Sequence, residues 1–308
     1  NQETSVPFAG ELLALTTVLC WSISVQFFEA ASKRVGSVPV NISRIGVALI
    51  LFSLFLMIRD GTMFPTDFPV HAWFYLSLSG IVGFFIGDLF LFMALVNLGP
   101  RLAMLIHSLA APATAVIGWL FLGESYRITQ WLGIFIALSG VCLVILERSP
   151  EPPARSLQVR TISLKGLALG AGALLGQAVG YIFSKVGMQT ETGYLDAFAS
   201  TQIRAIAAFI CFIAFLTITN RWGSVKRAFG DPRAIVYTSA GSVVGPFLGV
   251  SLSLLILHYL AAGVAATFLS LVPIFMIPFA RFLHKEHVSL RAVIGTVVAV
   301  FGIYLLVS

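Results

Sequence analysis

The chain has 308 residues, of which 58% are hydrophobic and only 10% charged, and its mean hydropathy is +0.96. Soluble domains carry about 25% charged residues and no more than about 50% apolar ones, so this composition excludes a cytosolic enzyme, a nucleic-acid binder and a disordered chain. It predicts an all-α polytopic membrane protein; a β-barrel is excluded because the apolar runs are continuous rather than alternating.

A spanning helix needs about 20 apolar residues. Ten such segments follow in order, at 8–32, 39–58, 71–97, 100–122, 128–146, 164–188, 195–217, 234–257, 261–283 and 288–307. The first is too long for a signal-peptide core and no basic residue precedes it, so it reads as a retained helix. The connections are short and carry glycine, proline or charge, as in Lys33-Arg34-Val35-Gly36, Arg59-Asp60-Gly61 and Leu98-Gly99-Pro100-Arg101. The longest polar stretch, Glu147 to Lys165, contains Ser149-Pro150-Glu151-Pro152-Pro153, and proline at that density keeps a linker extended. The expected organisation is a first unit at 1–147, a cytoplasmic linker at 148–164 and a second unit at 165–308, with five apolar segments in each unit. Cys20, Cys142 and Cys211 lie in separate segments without metal-ligand spacing, which predicts buried free thiols rather than a disulfide or a metal site. Neither a cofactor motif nor a Walker motif for ATP is present.

The two halves are related. Shifting the chain by 162 residues brings Gly83 and Gly87 onto Gly245 and Gly249, Ser108-Leu109 onto Ser270-Leu271, and Glu124 onto Glu286. Gly133 and Gly140 fall on Gly295 and Gly302 at the same shift, while Gly10 meets Gly166 at 156 and Arg44 meets Arg204 at 160. Five spans per repeat is an odd number, so the second repeat enters the membrane in the opposite sense. The architecture expected is two inverted five-helix repeats around a central cavity, a recurrent design of secondary transporters. Helices 1, 3 and 4 with their counterparts 6, 8 and 9 are expected to line the cavity, and helices 5 and 10 to lie at the periphery.

Orientation follows from the basic residues. One face takes Lys33, Arg34, Arg44, Arg101, Arg148, Arg155, Arg160, Lys165, Arg221, Lys226, Arg227, Arg233, Arg281, Lys285 and Arg291; the other takes Arg59, Arg127, Lys185 and Arg204, a bias of 15 to 4. Basic loops stay in the cytoplasm, which places both termini outside an inner (plasma) membrane.

Several of these residues form a familiar pattern. Gly87-Asp88-Leu89-Phe90, Ala94-Leu95, Leu98-Gly99-Pro100, Ala103, Ser108-Leu109, Phe121-Leu122-Gly123-Glu124, Gln130-Trp131-Leu132-Gly133 and Gly140-Val141 together resemble the EamA repeat of the drug/metabolite transporter superfamily. A weaker copy runs through Ser270-Leu271-Val272-Pro273, Lys285-Glu286, Gly295 and Gly302. The resemblance covers essentially the whole chain, and the overall build looks most like the YddG-type amino-acid exporters. It implies ten helices, inverted repeats and export of small metabolites, with amino acids the favoured class. Pro273 follows its serine by three residues, as in the family, whereas Pro112 is displaced by one; the fourth helix is therefore expected to bend differently from the ninth.

The chemistry to look for is recognition and movement. Ionisable groups deep in a span are costly unless they face a cavity or a partner. Asp88 stands near the middle of an apolar run, where it reads as a site for a substrate amine or proton, as the partner of Arg44 or His107, or as a polar contact in helix packing. His107, in the middle of helix 4, suits a substrate carboxylate or an inter-helix hydrogen bond, and His258 at the end of helix 8 suits an interfacial role. Trp21 and Gln26 on helix 1, and Gln177 and Tyr181 on helix 6, offer aromatic and amide groups to an amphipathic metabolite; Gln177 and Tyr181 are four apart and share a face. The alternative for all four is packing and hydrogen bonding between helices. Gly83-x-x-x-Gly87 and Gly245-x-x-x-Gly249 have the spacing that lets helix backbones approach closely. Glu124 and Glu286 read as residues that lock tight links, not as ligands.

These observations favour a monomeric secondary transporter of a small-molecule substrate, working in the lipid bilayer by alternating access, without cofactor, metal or nucleic acid. One alternative is a lipid-carrier flippase on the same fold. An intramembrane enzyme fits poorly: an aspartyl protease needs two opposed carboxylates, and Phe85 spoils a Gly-x-Gly-Asp pattern ending at Asp88.

Overall fold

The computed structural model describes residues 8–98, 100–146, 163–191, 193–284 and 290–307. Almost all of the linker expected at 148–164 therefore lies outside the described residues, as does Glu286.

The ten apolar segments are ten helical spans. They are α1 (Ala9–Val35), α2 (Ser37–Asp60), α3 (Val70–Ser79, Gly80–Gly87 and Asp88–Leu98), α4 (Pro100–Ser108 and Ala110–Leu122), α5 (Ile128–Ile145), α6 (Leu164–Met188), α7 (Ala197–Ile218), α8 (Pro232–Ser242, Val243–Gly249 and Val250–Ile256), α9 (Ala262–Leu269 and Val272–His284) and α10 (Leu290–Val307). Nine are long and apolar enough to cross a bilayer, by length and composition among the described residues; the exception, α9, offers the shorter apolar stretch Ala262–Pro278. A short helix, Trp222–Ala228, sits between α7 and α8, and a two-residue hairpin of β1 (Gln189–Thr190) and β2 (Gly193–Tyr194) joins α6 to α7.

Local chemistry sets the ends of the spans. Gly36 separates α1 from α2 with φ +89°, a conformation open to glycine at little cost. Ser163 caps α6 by accepting from the Gly166 N–H at 3.2 Å, and Asp196 caps α7 by accepting from the Ala199 N–H at 2.8 Å. Asp231 accepts from the Arg233 and Ala234 N–H groups, each at 3.1 Å, and Pro232 opens α8 where a missing N–H costs nothing.

The repeats are visible in the irregularities. In both, the third helix contains a π segment: Gly80–Gly87 in α3 and Val243–Gly249 in α8. Both end on glycines related by the 162-residue shift. In both, the fourth helix breaks at the Ser-Leu pair. Ser108 Oγ donates to the Leu105 carbonyl at 2.8 Å and Ser270 Oγ to the Thr267 carbonyl at 2.7 Å, an i−3 bond at equivalent positions. The Leu109 N–H reaches the Ile106 carbonyl and the Leu271 N–H the Phe268 carbonyl, again equivalent. Both fourth helices are thus interrupted at the serine–leucine pair, although Pro112 and Pro273 stand at different distances from it.

The inversion can be read from contacts. In α5 and α10, Gly133 faces Gly302 and Leu306, while Gly140 faces Gly295 and Ala299. Position rises in one helix as it falls in the other, so these repeat-related helices run antiparallel. The same holds for α2 and α7, where Gly46 lies against Phe209 and Gln202 Nε2 donates to Ser53 Oγ at 3.0 Å. Packing also crosses between repeats reciprocally. Gly83 and Gly87 of α3 lie against Gly180 and Gly176 of α6; Gly245 and Gly249 of α8 lie against Ser24 and the Cys20-Trp21 pair of α1. In lipid, helix association depends on such close packing and on interhelical hydrogen bonds rather than on apolar burial. The Ser79 hydroxyl donates to the Gly180 carbonyl at 2.6 Å and lies 2.8 Å from the Ser184 hydroxyl, tying α3 to α6. The lone faces of α5 and α10, with Phe135, Val297, Phe301 and Tyr304 exposed, point outward as expected for peripheral helices.

Candidate functional site

Where the two repeats cross lies a small cavity lined by polar and aromatic groups. Its wall takes Trp21 from α1, Arg44 and Ile45 from α2, and Phe84 and Asp88 from α3; the second repeat supplies Gln177 and Tyr181 from α6, Arg204 from α7, and Pro246, Val250 and Ser253 from α8. Helices 1, 2 and 3 thus face helices 6, 7 and 8. The expected ring included helices 4 and 9 in place of 2 and 7. The arginines explain the difference: Arg44 and Arg204 turn α2 and α7 inward.

The cavity holds about 50 Å³, well below the ~300–1,000 Å³ of a pocket that takes a small molecule. A second, larger cleft of about 530 Å³ lies between α2, α7, the short helix and α8, and its lining is apolar, including Val40, Ile50, Phe209, Trp222 and Phe229.

Asp88 pairs with Arg44 through Oδ2 and Nη2. Of the roles weighed for Asp88, the observed contact is that of an ion-pair partner, made with Arg44 rather than His107. The Arg44 guanidinium also lies 5.5 Å from the Phe28 ring centroid. Asp88 is the first residue after the π segment of α3, so the wider turn sets the direction in which its carboxylate leaves the helix. Inserted π turns of this kind recur at functional sites.

Across the cavity, the Trp21 indole N–H donates to Ser253 Oγ at 3.4 Å, and Tyr181 is within hydrogen-bonding reach of Ser253 and Gln177. Four of the six candidate residues, Trp21, Asp88, Gln177 and Tyr181, therefore meet on one wall. Gln26 and His107 do not line the cavity. Gln26 is five positions beyond Trp21, about 140° further around a helix of 3.6 residues per turn. His107 sits at the end of the first piece of α4, next to Ile106, which packs against Gly170 of α6; its Nδ1 is buried with no hydrogen-bond partner among the described residues.

Arg204 was placed among the orientation-setting charges, and the structure moves it into the site. Its relative exposure is 3%, and its guanidinium lies 4.3 Å from the centroid of the Phe84 ring. Arg44 and Arg204 both leave the topology count, which becomes 14 to 3 (15 − 1 and 4 − 1) and keeps its direction. The signal that could have found Arg204 was its alignment with Arg44.

Around the cavity mouth formed by the even-numbered connections, charged groups join the repeats. Glu124, between α4 and α5, accepts from Lys185 Nζ at 2.6 Å and from the Ala262 N–H at 2.9 and 3.1 Å, and also takes the Tyr126 hydroxyl. Burial, and then the Glu124 hydrogen bond, hold the Tyr126 phenol far above its ordinary pKa, so it remains a donor. Arg59 reaches Asp196 at 2.9 Å, and the His258 ring stacks on Tyr194 with centroids 4.8 Å apart. Burial pushes the His258 pKa down, which keeps it neutral at that interface. At the opposite mouth Arg34 meets Asp231 at 2.8 Å.

An antiparallel, internally duplicated ten-helix bundle with a polar centre defines the class: a polytopic membrane transporter. Comparison with known proteins agrees. The profile of the EamA-like transporter family matches residues 8–146 and again 164–308, and the chain belongs to that family. A protein of Bacillus subtilis (strain 168) described as permease-like, YdzE, is 50% identical over 36 residues, covering 12% of this chain and 46% of the relative; the chain thus spans less than half the length of the curated relative it matches. A solved crystal structure aligns with a TM-score of 0.70 at 15% identity over 97% of each chain, a likeness of fold alone.

Proposed function

We propose that this protein is a secondary transporter that exports a small metabolite across the inner membrane by alternating access, with amino acids the favoured class. The observation that carries the reading is the cavity at the crossing of the repeats, whose lining includes two arginines, a carboxylate, an amide, a phenol and an indole. A bilayer-buried set of this kind is expensive unless it serves a pathway. Amino acids enter through the resemblance to amino-acid exporters and through the mixture of charged and aromatic groups. In this reading the chain works as a monomer, its units divide at 1–147 and 165–308, and both termini face outward. Exchanging the conformations of the two repeats would open the cavity first to one side and then to the other.

The test is uptake by liposomes containing the purified protein, with labelled amino acids, nucleosides and quaternary amines, with and without a pH gradient. Saturable, protein-dependent counterflow of amino acids is expected. Counterflow restricted to another class would replace the substrate while leaving the transporter. The apolar cleft beside α2 and α7 favours one second reading, a lipid-carrier flippase; co-purification of an isoprenoid lipid, lost when the cleft is narrowed by Gly46→Leu, would support it.

A further inference from the structure

The two repeats place an arginine at equivalent positions, but only one has a carboxylate. Arg44 is paired with Asp88. The 162-residue shift that carries Gly87 onto Gly249 carries Asp88 onto Val250, and Val250 lines the same cavity beside Arg204. Arg204 therefore lacks the partner its counterpart has. Its Nε and Nη1 have no hydrogen-bond partner among the described residues; the Phe84 ring centroid lies 4.3 Å from its guanidinium, and the Asp88 carboxylate, already bonded to Arg44, acts on it only through space. Two guanidinium groups and one carboxylate leave the cavity with one excess positive charge.

A guanidinium stays protonated under all ordinary conditions, so this charge cannot be relieved by losing a proton. A cation–π contact compensates only in part, and an unpaired buried charge is among the costlier features a fold can carry. We propose that Arg204 is the anchor for a carboxylate group of the transported solute, which supplies in the loaded state the anion that Val250 does not. A guanidinium gives a carboxylate charge-assisted N–H bonds, and Nε and Nη1 of Arg204, on different edges of the guanidinium plane, each have one to give. Gln177, Tyr181 and Ser253 surround the same space and bind the rest of the polar head. The repeat asymmetry thus divides the labour: Arg44 has its carboxylate within the protein, though its Nε too has no partner among the described residues, and Arg204 receives its carboxylate from cargo. This inference rests on the transporter reading and sharpens its substrate class to carboxylic acids.

The experiment compares matched acids and amides in counterflow and in thermal stabilisation of the detergent-solubilised protein: phenylalanine against phenylalaninamide, leucine against leucinamide, and benzoate against benzamide. The wild type should prefer the acid of a pair by about tenfold or more, the worth of a charge-assisted hydrogen-bond pair. Arg204→Lys should weaken that preference and Arg204→Gln abolish it. Val250→Asp restores the missing carboxylate, so it should melt no lower than wild type yet lose acid binding to internal pairing. This variant carries the test if Arg204→Gln does not fold.

Acids handled by Val250→Asp and Arg204→Gln with wild-type affinity would overturn the proposal while the transporter reading stands. So would wild-type transport of nucleosides or amines without any acid, or the absence of an acid preference from both assays. Transport of simple carboxylates without amino acids would support Arg204 as the anchor and remove amino acids as the class.

Discussion

Glu124 and Lys185 meet at 2.6 Å across the boundary between the two repeats. Both are largely buried, with side-chain exposures of 9% and 13%, and the same carboxylate receives the Ala262 N–H at the start of α9. Glu124 was expected to lock its own link; it also locks α6 and α9 to it. The residues that make it are not matched in the other repeat. The 156-residue shift that relates α1 to α6 puts Glu29 where Lys185 stands, and the 162-residue shift puts Pro100, which has no N–H, where Ala262 stands. Glu29 instead pairs with Lys33 along its own helix at 2.6 Å. The residues of this lock are therefore not repeated at the counterpart positions of the sequence.

Removing that lock should be costly. Breaking one partner of a buried ion pair typically costs about 3–5 kcal/mol, and the exposure of Lys185 puts this pair at or below the lower end. Glu124→Gln and Lys185→Gln should each lower the melting temperature in detergent. A double-mutant cycle should return a coupling energy of about 1–3 kcal/mol. A coupling near zero would show that the contact does not hold the mouth closed.

Asp88→Asn removes the charge at constant volume and leaves Arg44 without its partner. The expected result is a loss of stability of about 2–4 kcal/mol, of the order seen when buried pairs are broken. Arg44→Gln added to Asp88→Asn should recover a good part of it. Asp88→Asn at wild-type melting temperature, with transport that no longer responds to pH, would assign Asp88 to proton handling instead.

The close approach of α5 and α10 tolerates no side chain. A Cβ at Gly140 would meet the Ala299 backbone and the Gly295 carbonyl, and one at Gly302 would meet the Ala137 backbone. Gly140→Ala or Gly302→Ala should destabilise the bundle by at least the ~1–3 kcal/mol of an overpacked core. Gly223→Ala, where nothing lies within 4 Å, should leave the melting temperature within a degree or two. Equal melting temperatures for all three would refute the packing of these helices.

The orientation is tested by labelling. In a background without Cys20, Cys142 and Cys211, single cysteines at Ser156 in the linker and at exposed Thr66 between α2 and α3 should respond oppositely to an impermeant thiol reagent on intact cells. Position 66 should react and position 156 should be protected. The reverse pattern would invert the protein in its membrane without disturbing the repeats.

The spans, the duplication and its inversion were legible in the chain because each rests on local or periodic features. Apolar length marks a helix in lipid, an odd number of spans forces inversion, and Gly83, Gly87, Gly245 and Gly249 mark close contacts wherever the partner lies. Gln177 and Tyr181 could be placed together because a helix fixes their relative angle. The partner of each group could not be read in this way. Asp88 had two candidate partners, and only the assembled bundle, which brings the Arg44 side chain to it, chose Arg44. Arg204 reads in the chain as one more basic residue near a helix end, yet the packing of α7 against the π segment of α3 buries it over Phe84. The composition of a helix determines that it spans the membrane, because the bilayer acts on every residue alike. Which polar face turns inward depends on how neighbouring helices pack, and that is a property of the assembled bundle.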